Sequence, residues 1–235
     1  MQPQRYWNGD ALRTRFFDGL SLLLPAGEEF VIRAAQDWLD AHPDADSRLR
    51  AEAGRFIREE RSHQRAHRRY NAELHGALPV ARECEQRITA AVGELDRLGL
   101  RMRLALAAAF EHLTALLSAE VLRGEAWVDD KPPRECRMWR WHCAEELAHQ
   151  HVAGDLLRSM GPLPGQRILA LVLASLYLAG DAFSLTWALC RQEVREGRVS
   201  LAQLIAQAGR FAWRALPGLF RMALGWSGQL LPAAR

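Results

Sequence analysis

The chain contains almost no lysine and has almost no net charge. Of its 31 basic residues only Lys131 is a lysine, and the formal net charge is +3. The arginines are scattered among acidic residues, and no basic stripe carries interleaved aromatic side chains. A nucleic-acid-binding surface normally shows such a stripe. We therefore expect no nucleic-acid partner.

Cysteine is also scarce, and no Cys-x-x-Cys pair is present. Two of the four cysteines, Cys136 and Cys143, are seven positions apart on one predicted helix, which is too far for a disulfide within that helix. We interpret all four as reduced thiols. The first twenty residues contain several charged side chains and do not resemble a signal peptide. Together these features predict a cytoplasmic protein.

No segment alternates apolar and polar residues with a period of two, so we predict no β-sheet. The first helix is expected to begin near Glu28, after a turn at Pro25 and Gly27, and to end near His42. Further helices are predicted over 48–75, 82–98, 100–123 and 134–160, with a loop at 129–133. We expect a single all-helical domain over 1–235, with a metal-binding bundle in 26–160 and apolar C-terminal helices in 166–235.

A Glu-x-x-His pattern occurs in the last of these bundle helices. Glu146 and His149 form the pattern, and His142 precedes Glu146 by four residues. Side chains three or four positions apart lie on one face of a helix. All three are therefore predicted to point to the same site.

The same pattern occurs earlier in the chain at Glu60 and His63, with His67 four residues after His63. In four-helix di-iron and di-manganese proteins, two helices each supply a Glu-x-x-His pair and the other two each supply one glutamate. The sequence can be tested against this pattern by looking for one core-facing glutamate before each pair.

Such glutamates are present. Glu28 shares a helical face with Val31 and Trp38, and Glu111 lies on an apolar face with Leu104. Burying a carboxylate on such a face is costly unless a cation or a hydrogen-bond donor meets it. The four glutamates therefore predict a dinuclear site built from carboxylate oxygen and imidazole nitrogen. That donor set favours two iron ions, with manganese, a mixed manganese–iron pair and zinc as alternatives.

Each pair is preceded directly by another acid, Glu59 in the first and Glu145 in the second. Metal-bound histidines usually donate their second N–H to a carboxylate. We expect Glu145 to contact His63 and Glu59 to contact His149. The alternative is that both acids are solvated helix residues.

The sequence resembles a bacterial family described as predicted metal-dependent hydrolases, over about residues 16–160. The resemblance lies in the stretches Leu24–Phe30, Phe56–Asn71, Phe110–Ala115 and Trp139–His149. The ligand order also resembles ferritin-like di-iron proteins, which implies a ferritin-like four-helix bundle with additional C-terminal helices.

His142 is similar in position to the additional ligand of di-iron arylamine N-oxygenases, whereas Phe56 occupies the equivalent place before Glu60. His67 is an eighth candidate ligand or a donor to another ligand. The resemblance implies seven metal ligands: Glu28, Glu60, His63, Glu111, His142, Glu146 and His149.

Three functions are compatible with such a site. A di-iron centre can activate dioxygen and oxidise a small or apolar substrate, with electrons from a redox partner. A dinuclear centre can instead hydrolyse a substrate with metal-bound hydroxide. The third function is non-catalytic metal binding. We favour oxygen chemistry because of the ligand types.

The C-terminal part has a different character. Residues 168–190 contain a single charged side chain, that of Asp181. The segment is long enough to span a bilayer. Because a charge facing lipid is costly, we interpret this segment as a helix packed on the bundle or on a second copy of the chain. The tail, 211–231, is rich in tryptophan, leucine and arginine. It is expected to close the substrate cavity or to lie on a membrane surface.

Overall fold

The computed structural model describes residues 6–124, 126–129, 133–161 and 164–228. Within these ranges the chain is helical and contains no strand, which confirms the predicted all-α class. Pro162, the predicted loop residues 130–132 and the end of the tail, 229–235, lie outside the described residues. The helices are α1 Ala11–Ala41, α2 Ser47–Ala77, α3 Val80–Glu94, α4 Leu100–Arg123, α5 Arg134–His149, α6 Val152–Ser159, α7 Pro164–Arg195 and α8 Leu201–Gly228, with a 3-10 turn at Leu95–Arg97.

The predicted turn at Pro25 and Gly27 is wrong, because α1 runs continuously through both residues. Proline has no N–H, so the carbonyl of Ser21 loses its usual donor one turn later. The side chain of Asn71 on α2 replaces that donor, with Nδ2 2.9 Å from the Ser21 carbonyl oxygen. A neighbouring helix thus compensates for the proline, which local sequence cannot reveal.

The prediction of a single helix over 134–160 is also wrong. The structure divides it into α5 and α6, with a turn at Gln150 and His151. Neither position is a glycine or a proline, so the sequence contains no breaking residue there. After the turn, α6 packs against α4, α2 and α1.

The four helices that carry the predicted ligands, α1, α2, α4 and α5, are packed side by side. α1 packs on α2 and α4, and α5 packs on α4 and α2. Their shared core includes Phe30, Trp38, Phe56 and Leu104, each at most 1% exposed. The ferritin-like arrangement of these helices stays a prediction.

α7 and α8 cover one side of these four helices. α7 packs on α1 and α4 through small and branched residues such as Ala170, Ala174 and Leu189. α8 packs on α1 and α4, where Gly218 lies so close to Glu120 that an added Cβ would be 2.8 Å from its Oε2. Both helices therefore contact the bundle along one face only.

The four cysteines are buried and free. Burial raises the pKa of Cys136 to about 11 and the pKa values of Cys143 and Cys190 to about 12. Thiols with such raised pKa values are poor nucleophiles at neutral pH. These three cysteines are therefore poor candidates for nucleophilic catalysis.

Candidate metal centre

Four glutamates meet inside the protein, one from each of α1, α2, α4 and α5. Glu28, Glu60, Glu111 and Glu146 are all less than 5% exposed. Desolvation by burial is the main cause that raises the pKa of Glu60 to about 7 and the pKa values of Glu28 and Glu111 well above their usual range. Such carboxylates are stable in their ionised form only if positive charge meets them.

Two histidines lie between these carboxylates. His63 Nδ1 is 3.6 Å from Glu60 Oε1 and 3.4 Å from Glu146 Oε1. His149 Nδ1 is 3.4 Å from the same Glu60 oxygen and 3.6 Å from Glu111 Oε2. Two donor atoms each about 2.1 Å from one ion are separated by roughly 3.0–3.4 Å. The spacing therefore suits ligands of shared cations better than direct hydrogen bonds.

His142 completes the cluster from the same helix as Glu146. Its Nε2 is 3.4 Å from Glu146 Oε1. Ligand atoms of Glu28, His63 and His142 lie within 4.8 Å of one another, as do those of Glu60, His63, Glu146 and His149. Burial lowers the pKa of His142 well below its usual value. A neutral imidazole of this kind can serve as a metal ligand.

The cluster contains many buried polar atoms that have no hydrogen-bond partner among the described residues. Buried polar groups in proteins are normally satisfied, so their concentration at one place needs an explanation. Cations bound at this place would satisfy them. The unpartnered atoms are both carboxylate oxygens of Glu28, Oε1 of Glu60, Oε2 of Glu111, Nδ1 of His63, Nε2 of His67, Nδ1 of His142 and both ring nitrogens of His149.

The outer contacts of the two Glu-x-x-His pairs differ. His63 Nε2 lies 2.8 Å from Glu145 Oε2, and Trp141 Nε1 donates to Glu145 Oε1 at 2.9 Å. Glu59, in contrast, faces Arg55 at 3.8 Å. Since neither ring nitrogen of His149 has a hydrogen-bond partner in the described chain, the expected contact between Glu59 and His149 is wrong.

His67 is held by a hydrogen-bond network that fixes its proton. Asn71 Nδ2 donates to the Ser21 carbonyl and to Glu85 Oε1, so Asn71 Oδ1 has to be the acceptor for the Ser21 hydroxyl, 2.7 Å away. The Ser21 oxygen can then only accept from His67 Nδ1, at 2.8 Å. The proton therefore lies on Nδ1, and the unpartnered Nε2 keeps its lone pair. Its ring lies 4.9 Å from that of His142.

An apolar cavity of about 600 Å³ extends from the centre toward α7 and α8. His142 and Thr114 line its inner end, and Thr114 Oγ1 lies 3.0 Å from Glu146 Oε2. Leu219, Met222 and Trp226 of the predicted tail also line it. Closure of a substrate cavity by the tail stays a prediction. The sequence did not show the contribution of α7, whose residues have no motif.

Residues 1–229 match the model of a family described as predicted metal-dependent hydrolases. The chain belongs to this family. Membership extends the sequence resemblance, which covered about 16–160, to the C-terminal helices. It identifies the chain as a member of a group described as metal-dependent enzymes, and the buried Glu and His cluster is a candidate metal centre for such an enzyme. No curated protein and no solved structure matched the chain.

Proposed function

We propose that this member of the family is a di-iron oxygenase or oxidase that acts on an apolar substrate. The observation that supports this proposal is a buried cluster of carboxylate and imidazole groups that opens directly into an apolar cavity. Oxygen and nitrogen donors without thiolate suit iron or manganese. Manganese, a mixed manganese–iron pair and zinc are the alternative cofactors.

Seven side chains would hold the two ions, with His67 Nε2 as an eighth donor. When bound, the ions supply the redox chemistry that activates dioxygen. In a monooxygenase reaction one oxygen atom enters the substrate and the other leaves as water, with two electrons and two protons from a redox partner. The seven side chains are Glu28, Glu60, His63, Glu111, His142, Glu146 and His149.

The cavity wall favours a nonpolar substrate. The hydroxyls of Ser175 and Thr186, which line it, donate to carbonyls of their own helix, at 2.7 and 2.6 Å. The indole N–H groups of Trp127 and Trp139 also line it and have no hydrogen-bond partner in the described chain. Most of the remaining wall is leucine, alanine and aromatic carbon. Such a cavity binds a nonpolar molecule and excludes water from the reacting atoms.

Hydrolysis by metal-bound hydroxide is the second candidate, and the description of the family favours it. In that case a zinc-loaded or manganese-loaded protein would hydrolyse an activated ester such as p-nitrophenyl acetate. The four carboxylates would keep their role as ligands, so ligand variants alone do not separate the two candidates.

The metal and its reaction with dioxygen separate them. Untagged protein loaded anaerobically with ferrous iron should bind two equivalents, consume dioxygen and change its optical spectrum on mixing with air. Glu60→Ala should abolish the optical change, and Glu59→Ala, which alters the adjacent acid facing Arg55, should preserve it. Retention of zinc alone when iron is supplied, or metal-dependent ester hydrolysis without any reaction with dioxygen, would replace our proposal with the hydrolase function.

A further inference from the structure

The outer side of α7 and α8 is apolar and exposed. α4 and α7 are both long and apolar enough to cross a membrane by length and composition, but α4 is mostly buried in the protein. The most apolar part of α7 is only 22% buried. It exposes Leu176, Tyr177, Phe183 and Trp187, each more than half exposed. A group of large, exposed apolar side chains on one surface normally marks a site that binds a partner or a membrane.

α8 adds a longer apolar stripe. At 100° per residue its large exposed apolar side chains fall on one side of the helix, next to the face that packs on α4. Trp213 is 78% exposed and Phe220 is 65% exposed. The other members of the stripe are Ile205, Leu216, Leu219 and Leu224.

A row of arginines borders this stripe. Arg210, Arg214 and Arg221 are spaced by four and seven residues, so they share one side of α8. No aspartate or glutamate occurs after Glu196 in the whole sequence. Arg221 pairs with Glu120 of α4, whereas Arg210 and Arg214 are exposed on the outside. A basic, acid-free amphipathic helix is typical of a segment that lies on an anionic lipid surface.

The apolar cavity reaches the same surface. Phe183 of α7 and Leu219 of α8 line the cavity, and they are also 73% and 46% exposed. Trp226 Nε1 donates to Ser175 Oγ at 2.9 Å and links the two helices beside it. The exposed apolar surface is therefore continuous with the cavity that ends at His142.

We propose that the outer face of α7 and α8 docks on an anionic membrane surface, and that the cavity takes up a long-chain lipophilic molecule from that membrane. The second half of this inference rests on the proposed function, and the docking does not. Because α7 packs on α1 and α4 along its inner face, it lies on the surface and does not leave the bundle to span the bilayer.

Charge favours a membrane over a second copy of the chain. A two-fold contact places the same patch on both subunits. Two copies of α8 would bring arginines together, and the helix provides no carboxylate to offset them. Anionic headgroups supply that negative charge, and the acyl region accepts the tryptophan and phenylalanine side chains.

Flotation with lipid vesicles tests the docking. The purified full chain should float with phosphatidylcholine vesicles that contain phosphatidylglycerol, and only weakly with phosphatidylcholine alone. Arg210→Ala combined with Arg214→Ala should weaken binding about 25-fold, since each arginine near an anionic surface contributes about fivefold. The matched control is Arg61→Ala combined with Arg65→Ala, two exposed arginines with the same spacing on α2. It should bind like the parent.

Three results would overturn the docking. They are the absence of flotation, equal loss of binding in the control pair, and a stable dimer in light scattering that Trp213→Glu dissociates while vesicles remain unbound. Flotation is measured with and without added metal. A failure of the di-iron function therefore leaves this test intact, and a failure of docking leaves the oxygen test intact.

A long-chain fluorescent fatty acid, cis-parinaric acid, tests the cavity. Ala182 lines the cavity on α7, so Ala182→Trp should fill part of it. The variant should still float with vesicles but bind the fatty acid about tenfold more weakly. Undiminished binding of the fatty acid by this variant would contradict its entry into the cavity.

Discussion

Glu145 on α5 contacts His63 on α2, with Oε2 and Nε2 2.8 Å apart, although the Glu145 side chain is 38% exposed. In the neutral form that binds metal, His63 donates from Nε2 to Glu145, and its Nδ1 lone pair faces Glu60 and Glu146. Carboxylate partners of this kind orient a histidine ligand and increase its basicity. The solvent-facing acid thus controls which nitrogen faces the centre.

We predict that Glu145→Gln weakens metal binding about 10- to 100-fold without unfolding the protein. Glu59→Gln is the matched control, because Glu59 has the same place in the first motif but faces Arg55. Metal titration by calorimetry, with circular dichroism for the fold, measures both variants. Equal metal affinity in Glu145→Gln and the parent would disprove the positioning role.

His142→Ala should keep the fold and much of the bound metal. Its ring lies between the ligand cluster and the cavity, so the variant should change the visible spectrum of the iron-loaded, air-exposed protein. His42→Ala is the control, since His42 stacks on Trp38 away from the cluster. Identical spectra for parent and His142→Ala would show that His142 is only a packed core residue.

The metal-free protein should lose stability as pH rises above about 6.5. Folding raises the pKa of Glu60 to about 7 and raises those of Glu28 and Glu111 well above their usual value. Their contribution to stability is therefore complete below pH 4.5 and is lost as pH rises through the raised pKa values. Burial disfavours the charged form of His63, but contacts with Glu146 and Glu60 raise its pKa to about 11. Its contribution is also lost as pH rises above 6.5.

The remaining histidines act in the opposite direction, but only below pH 6.5. Burial lowers the pKa of His67 to about 3 and that of His149 to about 4, and it lowers the pKa of His142 well below its usual value. Their contribution is lost as pH falls from 6.5 and is constant above it. Urea unfolding at pH 6.5, 7.5 and 8.5 should therefore show a falling free energy with chelator present. Saturating metal should remove the fall, because bound ligands are already deprotonated. A rise in the metal-free protein would contradict this prediction.

A buried ion pair connects α7 with α1. Arg15 Nη2 lies 2.7 Å from Glu193 Oε1, and Glu193 is fully buried. Glu193→Ala should lower the free energy of unfolding by roughly 1.5–3 kcal/mol, because it removes one charged partner of buried Arg15, which keeps its contact with Asp18. Glu94→Ala removes the exposed pair with Arg97 and should cost less than about 1 kcal/mol. Chemical denaturation measures both, and equal costs would show that burial does not govern this ion pair.

The helical face was the most informative feature of the sequence. Glu111 could be identified as a candidate ligand because its predicted helical face carries apolar residues and no other charge. The structure places its Oε2 3.6 Å from Nδ1 of His149. The two Glu-x-x-His spacings likewise brought Glu60, His63, Glu146 and His149 together. These predictions needed only the helical period, which is a local property.

Properties that depend on another helix were not predictable. Asn71 compensates for Pro25 from α2, so the early part of α1 looked like a separate segment. Glu59 and Glu145 have equivalent positions in the sequence, and only the packing of α5 against α2 brings Glu145 to His63. The part of the cavity wall that α7 supplies is formed by tertiary packing. No sequence motif marks its residues, so it could not be predicted.

The proline in α1 links helix geometry to the proton on a histidine. Because Pro25 frees the Ser21 carbonyl, Asn71 turns its amide toward that carbonyl and its oxygen toward the Ser21 hydroxyl. This orientation leaves Nε2 of His67 unprotonated. Positions 21, 25 and 71 are thus coupled, because the hydrogen bond from Asn71 to the Ser21 carbonyl replaces the one that Pro25 cannot make. Among relatives that keep His67 we expect the three to change together, so that a chain without the proline also lacks the serine–asparagine pair.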